Sequence, residues 1–302
     1  MAHRRTLKRD VGCAGIGLHT GRLVNLRLRP ADPETGICFR RVDVGVEIPA
    51  SIENLAHLDH ATTLHRRGVT VSTVEHLLSA LRALGVDDAF VEVDGPEVPI
   101  LDGSAAPFVI LVHEAGLRPL PVPRRYLKIL KTVEVVASGK TVRLCAADQF
   151  RVSYAIGFDH PLLRHQAMDL KVTAESFVAD IAPARTFGFL RDVEMLRRNG
   201  LALGGSLDNA VVIGETGVLN NKLRFDDEFV RHKILDAIGD LALLGHPVVG
   251  HLEASRAGHA LHAALAQKLM ATTDAWTLVA HPQMPAVSLP SGTAPALEPS
   301  GA

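Results

Sequence analysis

The sequence predicts an α+β fold, on the evidence of its length, its composition and the order of its patterned segments. A chain of 302 residues is longer than a single hydrophobic core usually organises, so about two domains are favoured. Its 47% hydrophobic and 22% charged residues are typical of a globular protein. Segments with the two-residue period of strands flank segments with helical spacing, in an order that favours antiparallel pairing over a doubly wound parallel sheet.

The first half contains two clear strand patterns and two helical ones. The strands are predicted at 23–30 and 89–98, and the helices at 72–85 and about 106–115. Three prolines in 117–125 predict a linker, which places the first domain at residues 1–120.

The second half repeats this α+β character without a legible sequence repeat. Two strands at 126–136 and 141–147 are joined by a Ser-Gly-Lys turn, and helices are predicted at 191–200, 227–245 and 258–271. We place the second domain at 126–279. Residues 280–302 are rich in proline, lack periodicity and are predicted to be a disordered tail.

Charge and cysteine content exclude several function classes. A net charge of −1 argues against a nucleic-acid-binding protein. Residues 1–30 carry seven Lys/Arg and one acid, which is consistent either with an anionic partner or with a solvated edge strand. Three widely spaced cysteines suit neither a disulfide framework nor a cysteine-based metal site, and they favour a reducing cytoplasm. Any metal site would therefore use His and carboxylate ligands.

The pentapeptide HKILD places His232 and Asp236 four residues apart in a predicted helix. At that spacing the two side chains lie about 40° apart on one face, with Asp240 one turn further on. A His and a carboxylate so placed can bind one cation. The alternative is an exposed His–Asp pair, opposite an apolar stripe that faces the core.

The segment STVEH contains a second pair of polar residues, Glu75 and His76. Ser72 and Glu75 match a capping box, which would give Glu75 a purely structural role. Alternatively, Glu75 is a general base beside a third metal ligand, His76. Two His and one Asp would leave a fourth position open, as in catalytic zinc sites.

Three further features are ambiguous from the residues alone. The glycines of 12–17 do not precede a helix, so we interpret them as a tight turn that presents His19 rather than as a nucleotide fingerprint. Thr186 is either an oxyanion donor or a residue at a strand end. His259 lies at the start of a predicted helix, where a surface position is its simplest interpretation.

Seven colinear segments resemble the UDP-3-O-acyl-N-acetylglucosamine deacetylases of Gram-negative lipid A biosynthesis. They are GIGLHTG, STVEHLLSAL, PILDGSAAPF, PARTFGF, LALGGSLDNAVV, LRFDDEFVRHKILDAIGDLALLGH and AGHAL, and they extend from about residue 5 to 277. The resemblance implies two similar β-α-α-β domains, each with a small insert. The second insert, a β-α-β unit around 189–212, would form an apolar passage for an acyl chain.

The resemblance also implies roles for individual residues. The implied cofactor is Zn²⁺, bound by His76, His232 and Asp236. The implied catalytic residues are Glu75 as general base, His259 as general acid, Asp240 as its partner, Thr186 at the oxyanion, and Lys233. The implied substrate contacts are Phe187, Lys233, Leu18, His19 and Leu201.

These implications together describe an amidase that releases acetate from UDP-3-O-(3-hydroxyacyl)-N-acetylglucosamine. Its expected partner is the acylated UDP-sugar, with no nucleic acid and with peripheral contact at the inner-membrane surface. We expect a cytoplasmic monomer. Two alternatives stay open: a non-catalytic protein that binds the lipid-sugar, and a metal amidase that acts on another N-acyl sugar.

Overall fold

A computed structural model describes residues 2–56, 58, 60–220 and 222–280, and it confirms the α+β class. The elements up to residue 123 are β1 His3–Leu7, β2 Val11–Ile16, β3 Leu23–Pro30, β4 Ile37–Arg41, β5 Val46–Pro49, β6 Leu64–Arg66, β7 Val69–Val71, α1 Glu75–Leu84, β8 Ala89–Val93, α2 Ala106–Ala115 and β9 Leu117–Pro123. Those that follow are β10 Tyr126–Ile129, β11 Val133–Ala137, β12 Lys140–Cys145, β13 Arg151–Ile156, β14 Gln166–Lys171, α3 Ala174–Ser176, β15 Phe187–Phe189, α4 Leu190–Arg198, β16 Val211–Ile213, α5 Glu228–Leu241, β17 Val248–Val249, β18 His251–Ser255, α6 His259–Ala271 and β19 Trp276–Val279.

Two five-stranded sheets have the same topology. Their strand orders are β2-β3-β8-β4-β5 and β11-β12-β18-β13-β14. In each sheet the successive pairings are antiparallel, antiparallel, parallel and antiparallel. The chain therefore builds one strand arrangement twice, although its sequence shows no repeat.

The helices pack along the apolar faces of these sheets. Alternate residues are buried in β3 and in β13, as expected for sheets with one covered face. Helix α5 contacts β13 and β14, α6 contacts β11 and β12, and α2 contacts β2. Helix α1 packs against both α2 and α5, so the central pair α1–α5 joins the two halves of the molecule.

The predicted linker at 117–125 is wrong, because most of it is strand β9. This strand pairs antiparallel with β1, with Leu117 opposite Leu7 and Pro119 opposite Arg5. Pro119, Pro121 and Pro123 alternate along β9, so their missing N–H groups all fall on one side of the strand. An edge strand tolerates proline when that side faces away from its partner.

Two further expectations about local structure are also wrong. Residues 12–16 belong to strand β2, and the tight turn follows them, where Gly21 N–H donates to the Gly17 carbonyl at 3.0 Å. Helix α1 begins at Glu75 rather than at 72. Thr73 has a φ of 57°, a left-handed conformation that cannot be part of a right-handed helix.

The segment around the expected second insert contains β15, α4 and β16. Strands β15 and β16 pair in parallel, and α4 connects them. Helix α4 has no buried residue, and Leu190 and Met195 are about half exposed. Cys13, Cys38 and Cys145 are all free thiols. The predicted disordered tail, apart from Ala280, lies outside the described residues.

Within the described part of the chain, every helix is too short or too polar to cross a bilayer.

Candidate active site

Close packing between α1 and α5 forms the floor of the site. A Cβ at Gly239 would lie 2.1 Å from the carbonyl oxygen of Glu75, so only glycine allows the two helices to approach this closely. The first turn of α1 is thereby held against the C-terminal half of α5. Glu75 and His76 from α1 therefore face His232 and Asp236 from α5.

His76, His232 and Asp236 converge as a potential metal-binding group. The Asp236 Oδ1 atom lies 3.3 Å from His232 Nε2 and 3.7 Å from His76 Nε2. The two imidazole centroids are 4.9 Å apart, and the rings are nearly perpendicular. All three residues are at most 3% exposed. The exposed His–Asp pair considered above is therefore wrong, because α5 is buried on this face as well as on its apolar one.

The orientation of these side chains fits a bound cation. The His232 Nδ1 atom donates to the Ala184 carbonyl at 3.0 Å, which leaves the Nε2 lone pair facing Asp236. The buried Asp236 Oδ1 atom accepts no hydrogen bond from any described residue. A buried carboxylate oxygen without a donor is costly unless a cation binds it. Two imidazole nitrogens and one carboxylate oxygen form a ligand set suited to divalent zinc.

Burial and local charge keep this group ready to bind metal. Burial, and next His232, lower the pKa of His76 to about 3, so that its imidazole is neutral. Burial also lowers the pKa of His232. Although burial alone would raise the pKa of Asp236, Lys233 and the nearby imidazoles hold it well below its usual value. Lys233 Nζ donates to Asp236 Oδ2 at 2.7 Å, which leaves Oδ1 free.

Glu75 does not cap its helix, so the capping-box interpretation is wrong. It is the first residue of α1, after Val74, which makes no side-chain cap. Ser72 instead accepts a hydrogen bond from Thr63 Oγ1 at 3.0 Å. The Glu75 Oε2 atom accepts from the Thr62 backbone N–H at 3.0 Å, and burial raises the pKa of Glu75 to about 7. A carboxylate with such a pKa is well suited to proton transfer.

His259 lies over the site rather than on a free surface. Its Nδ1 atom donates to Asp240 Oδ2 at 2.8 Å, and its Nε2 atom lies 3.9 Å from Asp236 Oδ2. Burial alone would lower the pKa of His259, but Asp240 outweighs it and raises that pKa to about 9. Asp240 therefore keeps an imidazolium beside Asp236, with its Nε2–H towards that carboxylate. Such a group can act as a general acid.

Comparisons with known proteins show the family of this chain. The family model for UDP-3-O-acyl N-acetylglycosamine deacetylase (LpxC) matches residues 4–271. The chain belongs to this deacetylase family. Proteins named UDP-3-O-acyl-N-acetylglucosamine deacetylase from Syntrophotalea carbinolica and Pseudomonas entomophila are each 50% identical to it, over 92% of this chain and 91% and 94% of their own lengths. The protein of that name from Myxococcus xanthus is also 50% identical, over 92% of this chain and 89% of its own. Family membership identifies the chain as an amide hydrolase.

In this deacetylase-family chain, Thr186 and Phe187 lie on a segment that borders His232. Ala184 accepts the His232 hydrogen bond, and the Phe187 ring centroid lies 6.2 Å from that of His232. Lys233 Nζ is 5.7 Å from the centroid of the same Phe187 ring. Thr186 itself immediately precedes β15, and its backbone N–H donates to Gly103 at 2.8 Å. It is therefore a residue at a strand end that also lies beside the site.

Leu18 and His19 lie in a first-half turn that contacts the loop after α4, and Leu201 is part of that loop. The carbonyls of Leu18 and His19 accept from the backbone of Gly204 and Leu203 at 3.0 and 3.2 Å. His19 Nδ1 accepts from Ala202 N–H at 3.4 Å, next to Leu201. The structure thus brings Leu18 and His19 against a loop that lies 183 positions later in the sequence.

Part of the basic N-terminal segment is paired within the chain. Arg4 is buried and forms a bidentate ion pair with Asp88 at 2.6 and 2.8 Å. Arg29 pairs with Glu92 at 2.8 Å on the exposed face of the first sheet. At least two of the seven basic side chains in residues 1–30 are therefore paired with acids later in the sequence.

Sequence reasoning missed two buried residues that bond to Asp240, namely His262 and Thr62. His262 Nδ1 donates to Asp240 Oδ2 at 2.8 Å, and its Nε2 atom lies 3.1 Å from the Tyr154 hydroxyl. Its position three residues after His259, on the same face of a helix, was an available signal. Thr62 Oγ1 donates to Asp240 Oδ1 at 2.6 Å. No motif or spacing marks Thr62.

Proposed function

We propose that this chain removes the N-acetyl group of UDP-3-O-acyl-N-acetylglucosamine by zinc-dependent amide hydrolysis, in lipid A biosynthesis. The observation that carries the proposal is the convergence of His76, His232 and Asp236 from two helices that are far apart in the sequence. Their donor set favours zinc over calcium or magnesium, which prefer sites made only of oxygen. Bound there, zinc would supply a Lewis acid and lower the pKa of water.

The residues around this group divide the proton transfers between them. Glu75 takes the proton of the attacking water, since its carboxylate is buried and its pKa lies near neutrality. His259 gives a proton to the departing glucosamine nitrogen, so the C–N bond breaks with a neutral amine as leaving group. Asp240 holds His259 by its Nδ1 atom and stabilises the imidazolium. The net reaction adds one water and releases acetate.

Other residues bind and orient the substrate in this proposal. Thr186 stabilises the developing oxyanion, and Lys233 adds positive charge beside the reacting carbonyl. Leu18, His19 and Leu201 contact the substrate at the junction of the turn and the α4 loop. The acyl chain lies along the β15–α4–β16 segment, where each buried methylene contributes about 0.8 kcal/mol. Phe187 packs beside His232 and limits the width of the site.

The wider setting also belongs to the proposal. We infer a division into domains at 1–120 and 126–279, with an acyl-chain insert near 189–212. The two sheets of identical strand order support this division. We also infer a cytoplasmic monomer that meets the inner-membrane surface peripherally, because its substrate and product carry an acyl chain. Exposed Leu190 and Met195 on α4 support such a contact.

Acetate release tests the proposal directly. The enzyme is incubated with UDP-3-O-(3-hydroxyacyl)-N-acetylglucosamine as purified, after chelation, and after zinc is restored. We expect acetate before chelation, none after it, and recovery with zinc. Tight substrate binding without acetate release would instead indicate a non-catalytic binder. Equal rates on N-acetyl sugars without the acyl chain or UDP would indicate an amidase of other specificity.

A further inference from the structure

Thr62 connects the two halves of the site. It lies just before β6, in the first half of the chain, and is 1% exposed. Its carbonyl accepts from the Val74 backbone N–H at 3.3 Å, which fixes its segment against the start of α1. Its side chain reaches Asp240 on α5, 178 positions away in the sequence.

Thr62 donates one hydrogen bond to a carboxylate of each half. Its backbone N–H donates to Glu75 Oε2 at 3.0 Å, and its hydroxyl donates to Asp240 Oδ1 at 2.6 Å. The hydroxyl must be the donor in the second bond, because an ionised carboxylate only accepts. Hydrogen bonds to charged groups are the stronger class, so both contacts restrict the carboxylates that they bind.

The Thr62 hydroxyl is the hydrogen-bond donor to one of the two Asp240 carboxylate oxygens. Its Oδ2 atom already accepts from His259 Nδ1 and His262 Nδ1, both at 2.8 Å. Its Oδ1 atom is satisfied by Thr62. Without that hydroxyl, a buried carboxylate oxygen would lose its donor, and the carboxylate would be free to rotate away from His259.

We propose that Thr62 is a positioning residue that fixes the general base Glu75 relative to the Asp240–His259 pair. The proposal rests on the proposed function, because it assigns a geometric purpose to groups that act in that reaction. The Thr62 hydroxyl also lies 3.3 Å from His259 Nδ1, the nitrogen that bonds to Asp240. Thr62 touches no reacting atom; it acts on Glu75 and on the Asp240–His259 pair. A β-branched residue suits this role, because its side chain has few rotamers and both donors stay at a fixed separation.

Thr62→Val removes the hydroxyl and keeps the shape and the backbone N–H. We expect kcat to fall by about 10- to 100-fold, the effect of losing a hydrogen bond to a charged group, while KM and bound zinc stay near wild type. Thr62→Ser restores the hydroxyl and is expected to restore most of kcat. Thr62→Ala repeats the test if the valine variant does not fold.

Thr63→Val is the matched control. The Thr63 hydroxyl is also buried but bonds to Ser72 at 3.0 Å, away from the carboxylates. The control should keep kcat even if it loses some stability. Equal losses of kcat in the two valine variants would overturn the inference, because they would indicate a general packing defect.

A double-mutant cycle with Asp240→Asn tests how Thr62 acts. If Thr62 acts through Asp240, Thr62→Val should lower kcat little further in the Asp240→Asn background. Multiplicative losses would overturn the inference. So would a wild-type kcat in Thr62→Val, and the proposed function would then still stand. A wild-type enzyme that releases no acetate would overturn both.

Discussion

Helices α1 and α5 both contribute to the metal-binding group, but from different parts of their length. Helix α5 contributes His232 and Asp236 from within its length, and Asp240 follows four residues later in the last turn. Helix α1 contributes Glu75 and His76 from its first turn. Residues within a helix are oriented by the helix itself, whereas residues at its end depend on whatever packs against that end. For α1, the segment containing Thr62 and the backbone at Gly239 provide that packing.

Glu75→Gln gives the largest effect expected at the α1 end. Glutamine keeps the acceptor for Thr62 N–H but cannot take up a proton, so we expect kcat to fall by about 10²- to 10⁴-fold. Bound zinc and melting temperature should stay close to wild type, as measured by mass spectrometry and calorimetry. Glu92→Gln, on the exposed face of β8, is the control and should keep full activity. Loss of zinc in Glu75→Gln would mean that Glu75 belongs to the ligand set.

The pH dependence of kcat/KM should separate Glu75 of α1 from His259 of α6, which Asp240 of α5 holds. Burial raises the pKa of Glu75 to about 7, and this base must be deprotonated, so activity should rise about tenfold per pH unit below that value. Burial alone would lower the pKa of His259, but Asp240 outweighs this effect and raises the pKa to about 9. This acid must be protonated, so activity should fall above that value. Bound zinc favours both deprotonated forms, which places each limb at or below these values.

Asp240→Asn sharpens this test. The substitution removes the negative charge that raises the pKa of His259. The basic limb of the pH profile, which His259 sets, should therefore move to lower pH, while the acid limb set by Glu75 moves little. A profile in which only the acid limb moved would contradict the assignment of Glu75 and His259.

Gly239→Ala tests the contact that brings the helices together and has the smallest expected effect. The new Cβ would lie 2.1 Å from the Glu75 carbonyl oxygen, so the helices must separate. We expect the free energy of unfolding to fall by about 1–3 kcal/mol, measured by denaturant titration. Gly217→Ala has no neighbouring atom within 4 Å and should change stability by less than about 0.5 kcal/mol. Equal stability of the two variants would contradict the close contact.

The same contrast explains what the sequence could predict. The spacing of His232 and Asp236 places both on one face of a helix, and the structure brings both next to His76. The start of α1 was mispredicted because Ser72 and Glu75 match a capping box, whereas Thr73 adopts a left-handed conformation and delays the helix. Local patterns report on neighbours within one turn. They contain no information about a distant segment such as that of Thr62, whose carbonyl accepts from the Val74 N–H at the start of α1.

Burial and long-range contacts were harder to predict from the sequence than the spacing of residues within a helix. The apolar stripe of α5 predicted one buried face, but helices α1 and α6 cover the polar face too. Strand β9 was taken for a linker because proline is rare in strands, although alternate prolines fit an edge. The common topology of the two sheets left no sequence repeat, since alternation of apolar residues is satisfied by many sequences.

The zinc content of three proteins tests the central claim most directly: that α1 and α5 share one metal ion. Wild type, His76→Ala and His232→Ala are each equilibrated with a limiting zinc buffer and analysed by mass spectrometry. We predict about one zinc per wild-type chain and almost none in either variant, because each removes one of three protein ligands. Full zinc occupancy in His76→Ala would contradict the account, because α5 alone would then hold the metal.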